Sequence, residues 1–260
     1  MGSPPVQIMT VTLRTLVRRI SFLLILSATP AGASQFTVNP TRVELSARVS
    51  SGVVSVRNDG KAPIRLQVKA HAWTQTLDGA VKLDPTDDVV VFPTMLTLEP
   101  GDERRLRVAV AAKPGDIERT YRIFLEELPP PKNQTDGVNG VQVLTRVGIP
   151  IFLAPVKAAA QATVSDVGLA QDGLHFQVEN QGNTHFVPET LRVRAVGANG
   201  QLVSDKSSDG WYILARSSRR YTMAFEQKDC ARIRSVLIDV TLPDTTLKGR
   251  LDTPGGACGR

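Results

Sequence analysis

VQVLTRVGIPIFLAP, residues 141–155, places Val141, Val143, Thr145, Val147, Ile149, Ile151 and Leu153 at every second position. Only an extended strand brings a period of two onto one face. The alternation predicts a strand over residues 141–153, more than twice the ~5 to 6 residues of an ordinary strand. A strand of that length has two readings. It is a core strand of a sandwich that runs on into the next segment, or its first half, around Val141, Val143 and Thr145, is an edge offered to another polypeptide.

Upstream of this stretch the chain consists of short alternating runs divided by turn residues, with no helical period sustained over a dozen positions. Phe36 and Val38 alternate on even positions. After Pro40 the apolar phase moves to Val43 and Leu45, which predicts a strand that changes partner or sheet at the proline. Residues 53–56 close on Asn58-Asp59-Gly60, a strong turn signal, and Ile64, Leu66 and Val68 resume the alternation with Trp73 on the opposite face. Pro93 interrupts the run 88–101, which stops at Pro100-Gly101. In the next strand Arg105 and Arg107 alternate with Leu106, Val108 and Val110. ERTYRIFLEEL, residues 118–128, has a helix-like Glu and Leu content, but Tyr121, Ile123 and Leu125 alternate and Pro129-Pro130-Pro131 ends it, so it reads as a strand. About seven strands in roughly 120 residues is an immunoglobulin-like count.

Downstream, VKAAAQATVS (156–165) reads as a linker. Strands are predicted over 174–178, 186–196, 211–215, 221–225, 236–242 and 247–251. The fold class is therefore all-β, two tandem immunoglobulin-like sandwiches, with a first domain over 34–156 and a second over 157–260.

Residues 1–33 stand outside this scheme. Arg14, Arg18 and Arg19 precede an apolar run over 20–28 and the small residues Ala31-Gly32-Ala33, the pattern of a secretory signal peptide cleaved after Ala33. The run falls short of the ~20 residues that span a bilayer, so no membrane span is expected in the mature protein. The formal charge of +6 owes three units to those arginines. With few aromatics and no basic run beyond Arg104-Arg105 or Arg219-Arg220, nucleic-acid binding is not expected. Cys230 and Cys258 are the two cysteines of an exported chain and predict one disulfide.

Enzymatic signatures are absent: no G-x-S-x-G, H-E-x-x-H, G-x-G-x-x-G or P-loop occurs. His71, His175 and His185 fall on separate predicted elements without ligand spacing, so neither a metal nor a cofactor is expected.

Several motifs in order resemble PapD-like periplasmic pilus chaperones. In the first domain they are Asn39-Pro40-Thr41-Arg42-Val43, Val56-Arg57-Asn58-Asp59-Gly60, Phe92-Pro93, Leu98-Glu99-Pro100-Gly101, ExxYRIFLEELPP over 118–130 and residues 149–155. Looser matches in the second are Val178-Glu179-Asn180-Gln181-Gly182-Asn183-Thr184-His185 and Gly210-Trp211-Tyr212. The resemblance implies a boomerang of two sandwiches in the periplasm that holds pilin subunits by donor-strand complementation and delivers them to an outer-membrane usher. Val141, Val143 and Thr145 would be the donor residues, Thr145 replacing the family's usual apolar side chain. Arg42 matches the cleft arginine that grips the subunit's terminal carboxylate. The companion lysine aligns with Pro150, and Arg146 on the same strand face is the substitute. These departures are closer to the branch serving spore-coat-U-like or archaic pili. Ala154 stands where many relatives place an arginine bridging to Glu118, which implies a domain junction held less by charge. The competing reading is a secreted tandem immunoglobulin-like binding or adhesion module with other partners.

Overall fold

The computed structural model describes residues 35–76, 78–130, 143–170 and 173–253. The proposed signal peptide, Val141 and Cys258 lie outside them. Seventeen strands and one single-turn helix are found among the described residues. The first ten strands are β1 (Phe36–Asn39), β2 (Val43–Leu45), β3 (Ser51–Asn58), β4 (Ile64–Gln75), β5 (Val81–Pro85), β6 (Val89–Phe92), β7 (Met95–Leu98), β8 (Glu103–Val110), β9 (Arg119–Glu127) and β10 (Arg146–Leu153). They form two sheets, ordered β1-β3-β8-β6 and β2-β10-β9-β4-β5, with β7 also on β4.

The phase shift at Pro40 is a change of sheet: β1 pairs antiparallel with β3, whereas β2 pairs parallel with β10. Val54 and Val56 of β3, Leu106 and Val108 of β8, Ile123 and Leu125 of β9 and Ile149 and Ile151 of β10 fill the space between the sheets. Each such side chain contributes about 1.5–3 kcal/mol by leaving water. Tyr121 joins this core and its hydroxyl donates to Asp88 Oδ2 at 2.8 Å.

The remaining strands are β11 (Ala162–Ala170), β12 (Gly173–Asn180), β13 (Thr190–Val196), β14 (Leu202–Ser208), β15 (Ser218–Met223), β16 (Ser235–Leu242) and β17 (Thr245–Asp252), with helix α1 (Gln227–Cys230) before β16. The sheets β11-β12-β15 and β14-β13-β16-β17 enclose a second core that includes Phe176, Val178, Val193, Ile213, Val236, Ile238 and Val240.

One turn device serves both sandwiches. Asn58, in Val56-x-Asn-x-Gly60, donates through Nδ2 to the carbonyls of Ala62 and Leu98, and its Oδ1 accepts from Gly60 N–H. Asn180, in Val178-x-Asn-x-Gly182, donates to Thr184 and Ile213 and accepts from Gly182. Each buried amide thereby ties together two carbonyls on either side of its turn and has its own polar atoms satisfied.

Several expectations are corrected. The 162–170 stretch, read partly as linker, is strand β11, whose small side chains carry little alternation and whose pairing shifts between Ser165 and Gly168. β5 and the polar β14 were not expected, because each lies largely open to water and buries no alternating apolar row. Residues 211–215 form no strand; Ile213 makes an isolated bridge to Phe186, and β13 begins only at Thr190, after Pro188. The long strand of the opening stretch is hydrogen-bonded as a ladder only from Arg146, and residues 143–145 precede it outside regular structure.

Candidate functional site

The two neighbours of β10 are unequal. β9 pairs with all eight of its residues, from Arg146↔Glu126 to Leu153↔Arg119. On the other side β2 covers only Ile151, Phe152 and Leu153. Residues 146–150 therefore present a backbone edge with no strand partner among the described residues, which is a template for one more strand. Just before it, Thr145 is still tied to Glu127: its carbonyl accepts from Glu127 N–H at 2.9 Å, and its N–H donates to the side-chain Oε2 of Glu127 at 3.0 Å. Val143 is 60% exposed and Leu144 also faces water. Of the predicted donor residues, Val143 is thus an open apolar side chain and Thr145 is half-buried at the ladder's start, while Val141 lies outside the described residues.

Odd positions of β10 enter the first core; even positions form the opposite face of the sheet. There Pro150 lies opposite Arg122 of β9, and Arg122 lies opposite His71 of β4. Arg42 immediately precedes the Val43↔Ile151 pair, beside the same row. Its guanidinium is exposed and meets Glu44 at 3.1 Å. Arg146 is engaged more fully, with Nε 2.8 Å from Glu126 Oε1 and its guanidinium 3.8 Å above the Phe124 ring. Gly148 leaves room for that ring, since a Cβ there would sit 2.8 Å from Phe124 Cε1.

Arg122 is the residue that sequence reasoning missed. Its guanidinium is half-buried, lies 3.8 Å over Trp73 and makes no ion pair among the described residues. Burial pushes its pKa down from the ordinary arginine value, against a small opposing effect of Tyr212. Nε of Arg122, Nε1 of Trp73 and Nδ1 of His71 are all buried without a hydrogen-bond partner. Three such nitrogens on one patch of one sheet face are unusual, because buried polar groups are nearly always satisfied. The half-exposed guanidinium of Arg122 is the part of this patch that an anion's oxygens can reach. The signal available in the sequence was Phe124: an aromatic two positions from Arg122 says that this second face is not simply solvated.

The second sandwich packs against the same face. Trp73, fully buried, meets Phe152, Tyr212 and Leu214. Gln75 accepts from Leu214 N–H at 2.9 Å and donates to the Tyr212 carbonyl at 2.7 Å. Glu118, whose expected partner at position 154 is an alanine, instead takes His185: Nδ1 and the backbone N–H of His185 both lie 2.8 Å from Glu118 Oε2. Asn183 adds bonds to the carbonyls of Asp116 and Lys157. A crevice of about 810 Å³ runs between Arg42 and Glu44 on one wall and Phe186, Val187, Leu242 and Leu247 on the other.

Cys230 is held in a disulfide and is not a free thiol. No cluster of metal-ligating side chains and no helix long and apolar enough to cross a membrane occurs among the described residues.

Comparison with known proteins agrees with this architecture. Residues 35–159 match the pili and flagellar-assembly chaperone family, PapD N-terminal domain. The chaperone protein FimB/FhaD of Bordetella pertussis is 25% identical over 148 residues, 54% of this chain, and the chain spans 58% of that relative's length. Among solved structures, the CsuC–CsuE chaperone–tip adhesion subunit pre-assembly complex from archaic chaperone-usher Csu pili of Acinetobacter baumannii superposes with a TM-score of 0.56 at 16% identity, covering 84% of this chain and 98% of the other. The Salmonella enterica SafA pilin–SafB chaperone complex gives 0.53 at 15% identity, covering 85% and 98%. The family is one of chaperones and not an enzyme class. Through residues 35–159 the chain thus matches the PapD-like pili and flagellar-assembly chaperones.

Proposed function

We propose that this protein is a periplasmic chaperone that holds a pilus subunit by lending it a strand, and passes it to an outer-membrane usher. The observation that carries the reading is the edge of β10 over residues 146–150, which has no strand partner among the described residues and lies near exposed Val143 and the cation Arg122. A subunit lacking one strand of its own sandwich has an unpaired edge and an open groove. The edge pairs with β10, and Val141, Val143 and Thr145 enter the groove. The subunit's terminal carboxylate sits on Arg122 and Arg42, which flank the Pro150 row at the edge of β10. The exposed Arg42–Glu44 pair is weak enough for a carboxylate to replace Glu44. Arg146, tied to Glu126 and stacked on Phe124, shapes the strand and does not bind the carboxylate. Subunit complexes of the Csu and Saf chaperones, which share this fold, support the reading.

Export by residues 1–33, domains over 34–156 and 157–260, and a Cys230–Cys258 disulfide complete the proposal. Co-expression in the periplasm with a pilin and an usher tests it. The tagged protein should retain the pilin and release it to the usher. Stable secretion of the protein without pilin capture would favour a binding module with other partners.

A further inference from the structure

We infer that His185 is a positioning residue, through which the second sandwich holds Arg122 at the carboxylate site; this rests on the reading of Arg122 as the anchor. The His185 ring stacks on Phe152 at 3.6 Å with an interplanar angle of 12°. Phe152 lies 6.0 Å from Trp73, and Tyr212 braces both rings, at 5.6 Å from Phe152 and 5.4 Å from Trp73. Trp73 carries the Arg122 guanidinium at 3.8 Å. Because Trp73 Nε1 has no hydrogen-bond partner, packing alone fixes the indole plane. Whatever fixes Phe152 therefore fixes Trp73, and with it the plane on which Arg122 rests.

His185 is well suited to be that fixed point. Its ring is oriented by Glu118 Oε2, which also accepts from its backbone N–H. The Glu118 side chain is only 5% exposed, and the Glu118 N–H donates to the Asn183 carbonyl at 2.9 Å. The ring is thus clamped at its edge by a carboxylate from the first sandwich and presses with its face on Phe152. Removing it leaves a ring-sized void beside Phe152, and a void in a close-packed contact lets its lining move.

The test follows the Trp73 Nε1–H and Arg122 Nε–H resonances of the ¹⁵N-labelled full chain, with N-acetylglycine as the probe for a chain-end carboxylate. In His185→Ala both resonances should broaden or split without probe, and the affinity for N-acetylglycine should fall at least fivefold. The double variant His185→Phe with Glu118→Gln keeps a ring on Phe152 and leaves no buried charge unpaired, so both readouts should return toward wild type. Should His185→Ala fail to fold, His185→Asn, which keeps a donor for Glu118 and loses the stacked ring, carries the same expectation. Unchanged resonances in a folded His185→Ala or His185→Asn chain would overturn the inference. A wild-type chain that does not bind N-acetylglycine at Arg122 would instead count against the anchor, and the probe-free resonances would still decide the role of His185.

Discussion

Replacing Arg122 by alanine separates subunit binding from folding more cleanly than any other change. In the free protein the guanidinium is half desolvated with no ion-pair partner among the described residues, and its stacking on Trp73 returns only ~0.5–2 kcal/mol. Loss of the stack and relief of the burden nearly cancel, so unfolding free energy should shift by no more than about 1 kcal/mol. In the complex the same change leaves the carboxylate to the exposed Arg42 alone. That costs about 2–5 kcal/mol, or roughly 30- to 4,000-fold in subunit affinity. Arg122→Lys should recover part of this, because an ammonium lacks the planar fork that meets two carboxylate oxygens. The assay is titration calorimetry with the subunit and with a variant whose C-terminus is extended by two glycines. The extension displaces the carboxylate, so it should weaken binding to the wild type and have a smaller further effect on Arg122→Ala, where Arg42 alone remains. Equal losses on extension in both backgrounds would refute the anchor, as would an affinity unchanged by Arg122→Ala.

Three other outcomes are expected. Val143→Glu should abolish subunit binding with a melting temperature close to wild type, whereas Ile151→Glu, placing a carboxylate in a fully buried core position, should unfold the first sandwich; both are read by thermal melts and pull-down. Asn180→Ala leaves the carbonyls of Thr184 and Ile213 and the N–H of Gly182 without their side-chain partner, and should destabilise by about 3 kcal/mol in urea titrations. Burial and the bond to Asp88 push the Tyr121 phenol up to about 12. A phenol with a raised folded pKa contributes stability that is full below its unfolded pKa of ~10 and is lost as pH rises through the folded value. Tyr121→Phe should remove that alkaline component, measured as urea midpoints between about pH 9 and 12.

The alternating cores were legible because one buried face imposes a period of two. Val54 and Val56, Leu106 and Val108, and Ile149 and Ile151 all stand where the pattern puts them. Pro40 was legible too, since the same alternation resumes out of phase in a different sheet. β14 and β5 were not legible, because strands that bury little carry no pattern. The site divides along the same line. The length of the alternating run left a continuing core strand and an offered edge both open, and which part of β10 lacks a neighbour depends on how far the distant β2 extends along it. Arg122 reads in sequence as an ordinary outward residue. Only the packing of Trp73 against the second sandwich turns its face into an interior one. The partner of Glu118 was hidden for a related reason, since His185 lies 67 positions away in the other sandwich.

A subunit strand that completes β10 would be seen in backbone hydrogen exchange along residues 143–149. In the free protein the amides of this stretch that point away from β9 have no strand partner among the described residues and should exchange quickly, while those bonded to β9 are protected. In the complex with a pilin the outward amides should become protected by at least a hundredfold, alternating with those already protected. A complex in which the outward amides exchange as fast as in the free protein would contradict the account.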